Sequence, residues 1–312
     1  MVDAIGSRAF IKSERWQQLR SAGVKVVAAL YETSRWLRPF HGGRIDLRNH
    51  RKIVVIDNRI AYCGSQNCAD PEFRVKPKFA PWVDMLLRCE GPVVLQEQYL
   101  FATNWMAERS DDPIVSLCTQ ALPAMEPSGG GAVAQMFGTG PTSRANAMSQ
   151  MFVAMMFAAK QELVITTPYF VPDEAMLRAL CSAPLRGVKT TVIFPARIDS
   201  LMTSYACRST YGTLLDAGVE IWEYPLGLLH SKSLTIDGEV ALVGSANMDR
   251  RSLELNYENN VLIADSATVS AIRQRQEEYR QQSQAVDRQA VENLPITQRF
   301  VQNAMAMLAP IL

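Results

Sequence analysis

A nineteen-residue block occurs twice in this 312-residue chain, and any fold must find a place for both copies. Asn49 to Asn67 reads NHRKIVVIDNRIAYCGSQN, and Leu229 to Asn247 reads LHSKSLTIDGEVALVGSAN. They align without a gap at a constant offset of 180 residues, and eight of the nineteen positions are identical. The identical set includes His, Lys, Asp, Gly, Ser and Asn, whereas apolar positions drift, Val55 against Thr235 and Cys63 against Val243. A repeat kept only for packing would retain its apolar residues. The pattern instead points to two similar halves, each bringing a half-site to one pocket.

Alternate side chains of a strand share a face, so His50 projects with Lys52, and His230 with Lys232. On each returning strand Ser65 and Asn67, or Ser245 and Asn247, again share a face after a glycine. Asp57-Asn58 and Asp237-Gly238 are hairpin-turn dipeptides, so a turn role accounts for both aspartates without catalysis. A neutral imidazole can attack phosphorus, a protonated one can supply the leaving oxygen's proton, and ammonium and amide donors can hold phosphoryl oxygens. The set suits phosphodiester chemistry. It suits a metal poorly, because lysines flank the ligand-type residues and no CxxC pair joins them.

Asp84 and Glu258 fall at similar places after the two blocks. Each can accept a hydrogen bond from the second ring nitrogen of its histidine; a half-buried carboxylate satisfied by backbone is the equal alternative. Arg250 and Arg251 are candidates for an anionic headgroup, with plain surface arginines as the alternative. The third histidine, His41, has no repeated counterpart and is assigned to a loop.

Charge nearly cancels, 32 basic against 31 acidic residues, without a Lys/Arg run, so the footprint of a nucleic-acid binder is missing. Six scattered cysteines read as buried thiols. No stretch reaches the roughly twenty apolar residues of a membrane span, and no secretory signal opens the chain. The tail from Phe300 to Leu312 is apolar enough to lie on a membrane or to dock back on the core.

Periodicity predicts, in the second half, strands over Glu162–Phe170 and Val188–Pro195, a helix over Ser200–Ala217, a strand over Val219–Tyr224, the hairpin, a strand over Asn259–Ala264 and a helix over Ala267–Val286. The first half repeats the order from a helix over Ser13–Ala22, through strands over Val24–Leu30 and Trp82–Glu90, to a helix over Val93–Glu108. Its opening Val2-Asp3-Ala4 resembles a strand's end, and nothing in it matches residues 148–186. The chain is thus expected to begin inside its first half, lacking an initial strand and helix. Leu122 to Ala132 is the expected linker.

HxKxxxxD followed by GSxN, twice, resembles the phospholipase D superfamily. The segments Thr167-Pro168-Tyr169-Phe170-Val171-Pro172, Gly227-Leu228-Leu229-His230-Ser231-Lys232 and Asp249-Arg250-Arg251-Ser252-Leu253, with His50-Arg51-Lys52, are similar to bacterial cardiolipin synthases. The resemblance implies an α/β protein of two phospholipase D-like α/β/α halves, residues 1–125 and 133–312, related by a pseudo-two-fold axis. It implies a phosphatidyl group passed between two phosphatidylglycerol molecules through a phosphohistidine, releasing glycerol, with no metal or cofactor. His50 would be the nucleophile and His230 the acid and base, roles that the near-equivalent half-sites allow to be exchanged. Lys52 and Lys232, with Asp57 and Asp237, would complete the catalytic motifs. Ser65, Asn67, Ser245 and Asn247 would bind phosphate, and Asp84 and Glu258 would orient the histidines. The implied location is the cytoplasmic face of the inner membrane, peripheral for this chain, with phosphatidylglycerol and the membrane surface as partners and no nucleic acid. Oligomeric state stays open. Phosphodiester hydrolysis and an inactive remnant that only associates with lipid are the alternatives.

Overall fold

Two short parallel strand pairs cross-link the repeated blocks, and they determine where the histidines sit. Arg48–Asn49, which leads into the first block's histidine, pairs with Asn256–Tyr257. Leu228–Leu229, which leads into the second, pairs with Trp82–Val83. Each histidine is therefore delivered beside a segment that follows the other block. The computed structural model describes residues 1–30, 46–72, 76–110, 112 and 131–308.

Among these residues the main sheet has nine strands. Its parallel core is Glu162–Thr166, Lys189–Pro195 and Glu220–Tyr224, with helices Glu174–Leu185, Leu201–Ser209 and Tyr211–Asp216 in the crossovers, the connection that parallel strands require. The second hairpin, Ser233–Ile236 with Val240–Gly244, adds antiparallel to Glu162–Thr166. Asn256–Ala264 follows and pairs on its other side with Val133–Thr139. Leu163, Ile165, Val192, Phe194 and Leu234 fill the core with Met148, Phe152 and Met156 of helix Ala147–Ala158.

The first hairpin, Ile53–Ile56 with Ile60–Gly64, forms a separate three-stranded sheet with Leu86–Glu90. All four residues of Ser233–Ile236 are buried between two neighbours, but Ile53–Ile56 has one neighbour among the described residues. Val54 and Ile56 accordingly keep 52% and 44% of their surface exposed. Both hairpin turns carry positive φ at their two central residues, 50° and 55° at Asp57-Asn58 and 54° and 68° at Asp237-Gly238. That is the turn whose twist matches paired strands, and Asn, Asp and Gly tolerate it.

Several expected elements are divided by their tertiary partners. The strand foreseen over Trp82–Glu90 breaks at Asp84-Met85, because Trp82–Val83 belongs to the cross-link and Leu86–Glu90 to the first hairpin's sheet. The helix foreseen over Ser200–Ala217 breaks at Thr210, whose backbone N–H and hydroxyl both donate to the Cys207 carbonyl, 3.1 and 2.8 Å away, a local bond that competes with the helical ladder. Val24–Leu30 is laddered only at Ala28–Ala29, since its partner is the two-residue strand Val2–Asp3. The strand foreseen from Asn259 begins at Asn256, so Glu258 lies within it. The helix foreseen to Val286 ends at Gln281, and Gln284–Ala285 becomes an edge strand against Trp222 and Glu223. Helix Val93–Glu108 matches its expected bounds. Cys63 and Cys207 are buried thiols, Cys89 and Cys181 half-buried, and Cys68 is exposed. Residues 122–130 of the expected linker, Cys118 and His41 lie outside the described residues.

Candidate functional site

Each histidine is fixed by the carboxylate that follows the opposite block. His50 donates from Nδ1 to Glu258, 2.8 and 3.0 Å from its two oxygens. His230 donates from Nδ1 to Asp84 Oδ1 at 2.6 Å. The backbone repeats the exchange, since His50 N–H donates to the Tyr257 carbonyl at 2.9 Å and His230 N–H to the Val83 carbonyl at 2.8 Å. Lys52 and Lys232 each bend back so that Nζ donates to the carbonyl of their own histidine at 2.7 Å. The charge of Lys232 is felt at His50 and that of Lys52 at His230, so the histidines and lysines of the two blocks lie within electrostatic reach of one another.

Ser65 and Ser245 both hydrogen-bond to the carboxylates that hold the histidines. Ser65 Oγ donates to Asp84 at 2.6 Å and accepts from Met85 N–H at 3.0 Å. Ser245 Oγ donates to Glu258 at 2.5 Å and accepts from Asn259 N–H at 2.9 Å. Both residues are fully buried, and a hydroxyl has one proton to give. With that proton on a carboxylate, the serines brace the histidine-orienting groups. Gly64 and Gly244 allow this approach, because a Cβ on either would collide with a backbone carbonyl, of Met85 or Asn259.

Asp57 and Asp237 both sit in their hairpin turns. Asp237 accepts backbone N–H bonds from Lys160, Gln161 and Glu162, which outweigh burial and hold its carboxyl below the usual range. It sits at the far end of Ser233–Ile236 from Lys232, about 13 Å along a strand of that length. Asp57 is exposed at the matching turn. Arg250 pairs with Glu254, and Arg251 donates to the Asp46 carbonyl. Asn247 is buried with its Oδ1 unpartnered among the described residues, while Asn67 is half-buried.

The electrostatics favour neutral imidazoles on ionised carboxylates. Burial pushes His230 down to about 3 and also lowers His50, against the opposing pull of their carboxylates. Burial alone would raise Asp84, but the hydrogen bond from His230 and the nearby Lys232 charge bring it to about 2; Glu258 is lowered against burial by the hydrogen bond from His50 and the Lys52 charge. A neutral ring donating from Nδ1 carries its free lone pair on Nε2. Burial also lowers Lys52 to about 8 and Lys232 to about 7. The halves differ in access, for 27% of the His50 side chain is exposed against 3% of His230, which lies under Trp82 with ring centroids 4.5 Å apart.

Behind Lys52 lies an arrangement that local pattern does not show. The Asn259 side chain pairs with the Lys52 backbone as a neighbouring strand would, accepting from its N–H at 2.9 Å and donating to its carbonyl at 3.1 Å. Asn259 Nδ2 also donates to Glu97 at 2.9 Å. Glu97 is fully buried, and burial raises its carboxyl to about 8. Arg51 donates to the carbonyls of Glu258 and Thr139 and lies over the Tyr257 ring. The Asn259 signal was present only as adjacency to Glu258; Glu97 had none.

Among the described residues, no three His, Cys, Asp or Glu side chains gather as a metal ion would require. No described helix is long and apolar enough to cross a membrane.

Residues 152–280 match the family model described as "Cardiolipin synthase, PLD-like domain". The chain is 37% identical over 313 residues to "Cardiolipin synthase A" of Erwinia tasmaniensis and 38% identical over 318 residues to that of Edwardsiella ictaluri, with 100% of this chain aligned. It spans 64% of the length of these relatives. Among solved structures, phosphatidylserine synthase of Haemophilus influenzae superposes with a TM-score of 0.61 at 15% identity, covering 85% of this chain and 71% of that one. This likeness shows the mixed α/β fold. Residues 152–280 thus carry a PLD-like domain of the cardiolipin synthase type, and the whole chain aligns with part of the cardiolipin synthase A relatives.

Proposed function

We propose that the pocket transfers a phosphatidyl group from one phosphatidylglycerol to the hydroxyl of another, giving cardiolipin and glycerol. The observation that carries this reading is the pair of neutral, carboxylate-held imidazoles, each with Nε2 unencumbered by its orienting bond, among two lysines. His50, the more open ring, attacks phosphorus through Nε2; an N–P bond forms as the P–O bond to glycerol breaks. The departing oxygen takes a proton from His230. An arriving phosphodiester places negative charge beside His230 and so favours the protonated ring needed for that step. His230 then removes the proton from the second phosphatidylglycerol's hydroxyl, which attacks phosphorus and releases His50. Lys52, Lys232, Asn67 and Asn247 hold the phosphoryl oxygens in this scheme. That the relatives are cardiolipin synthases supports the same substrate class, and in this reading the chain works at a membrane surface, on its cytoplasmic side.

Incubation of the protein with phosphatidylglycerol is expected to yield cardiolipin and glycerol in equal amounts. Phosphatidic acid in place of cardiolipin would mean that water is the acceptor, and no product from folded protein would reject transfer. His50→Asn is expected to abolish covalent lipid labelling; a labelled variant would overturn the nucleophile assignment.

A further inference from the structure

A cleft of about 240 Å³ lies away from the histidines, between helices Leu201–Ser209 and Tyr211–Asp216 on one side and Arg288–Glu292 and Ile296–Met307 on the other. Most of the charge on its wall is already matched. Arg208 is held by Glu223 and the Ala196 carbonyl, and Arg288 by Asp216 and Glu292. Two donors remain. Arg299 has no ion-pair partner among the described residues, and Gln302, only 4% exposed, has a buried Nε2 with no acceptor there. A buried amide donor without an acceptor is a standing penalty unless something supplies one. A cation and an unmet donor on adjoining helical positions call for an acceptor-rich anion.

The same helix shows which anion. Ile296, Phe300 and Met307 are 82%, 73% and 83% exposed, and at 100° per residue they form one stripe, with Arg299 between it and the buried Gln302. Twelve residues of such a helix extend about 18 Å, with an apolar edge for acyl chains and a cation placed to reach a phosphate at the interface. Free phosphate would have no use for the stripe. We propose that this cleft and the apolar stripe of Ile296–Met307 form a second lipid site, which takes the phosphate headgroup of an anionic phospholipid on Arg299 and Gln302 while the helix lies in the bilayer surface.

The inference goes beyond the transfer reaction and stands without it. Flotation of the full chain with vesicles of phosphatidylcholine, alone or mixed with phosphatidylglycerol, tests it. Binding is expected only to the mixed vesicles, and His50→Asn should bind as the unaltered protein does, so that binding and transfer fail separately. Arg299→Glu reverses one interfacial charge, worth about tenfold or more in affinity, and Phe300→Ser should weaken binding in the same direction. Both side chains are exposed, so the fold is not at risk. Gln302→Leu should raise the thermal midpoint by removing the unmet donor while weakening binding. Equal binding by all three variants, binding without phosphatidylglycerol, or displacement by excess inorganic phosphate would overturn the proposal.

Discussion

His50 donates its Nδ1 proton to Glu258, a residue 208 positions further along the chain, at 2.8 Å. The reciprocal bond joins His230 to Asp84. Neither half-site orients its own histidine, so neither is complete without the other. This exchange separates the roles of the carboxylates and can be read kinetically.

Glu258→Gln should act on the His50 step and Asp84→Asn on the His230 step. An amide in place of the orienting carboxylate favours the wrong tautomer, which lowers turnover by about 10⁴ in a triad of this logic. Rapid-quench labelling should show Glu258→Gln failing to form the phosphoenzyme. Asp84→Asn should slow phosphoenzyme formation with its glycerol release and also slow resolution, so that the phosphoenzyme it does form persists. Identical profiles for the two variants would contradict the crossed assignment.

Ser65→Ala and Ser245→Ala should each remove one hydrogen bond from a buried carboxylate. The expected loss is about 1–3 kcal/mol of stability, read as a lower midpoint in denaturant. KM should stay nearly unchanged while kcat falls, since each hydroxyl proton is already given to a carboxylate. A selective rise in KM would restore the serines to the phosphate-binding set.

The lysines set the alkaline limb. Lys52 and Lys232 are charged below their lowered values, about 8 and 7, so the unliganded pocket loses positive charge as pH rises through that window. kcat/KM, which reports free enzyme, should decline from about pH 7 upward. A bound phosphodiester raises both values, so kcat should persist to higher pH. Parallel limbs for the two parameters would argue against lysine contact with the anion.

Glu97→Gln tests the support behind Lys52. The carboxyl is raised from 4.5 to about 8 by burial, so the folded protein binds the extra proton. Its contribution is greatest below the unfolded value and is lost as pH rises from about 4.5 toward 8. Glutamine keeps the acceptor for Asn259 and does not ionise, so the variant should gain on the order of a few kcal/mol at pH 8 relative to the parent. It should gain little near pH 4. Chemical denaturation at the two pH values gives the answer. Glu97→Leu, which leaves the Asn259 amide with a lost partner, should lower kcat where glutamine does not.

The sequence by itself determined the two hairpins, their Asp-Asn and Asp-Gly turns and the facing of His50 with Lys52 and His230 with Lys232, because strand alternation and positive-φ turns are local properties. It also nominated Asp84 and Glu258 from their places after the blocks. Only the tertiary structure decided that these carboxylates are exchanged, that Ser65 and Ser245 hydrogen-bond to them, and that Asn259 stands in for a strand beside Lys52. The histidine and Asn259 contacts join segments 146 to 208 positions apart, and the serine contacts follow from where those segments place the two carboxylates. The two-residue pairings of Arg48–Asn49 and Leu228–Leu229 fix that choice, and such short ladders leave no periodic trace in the chain that forms them.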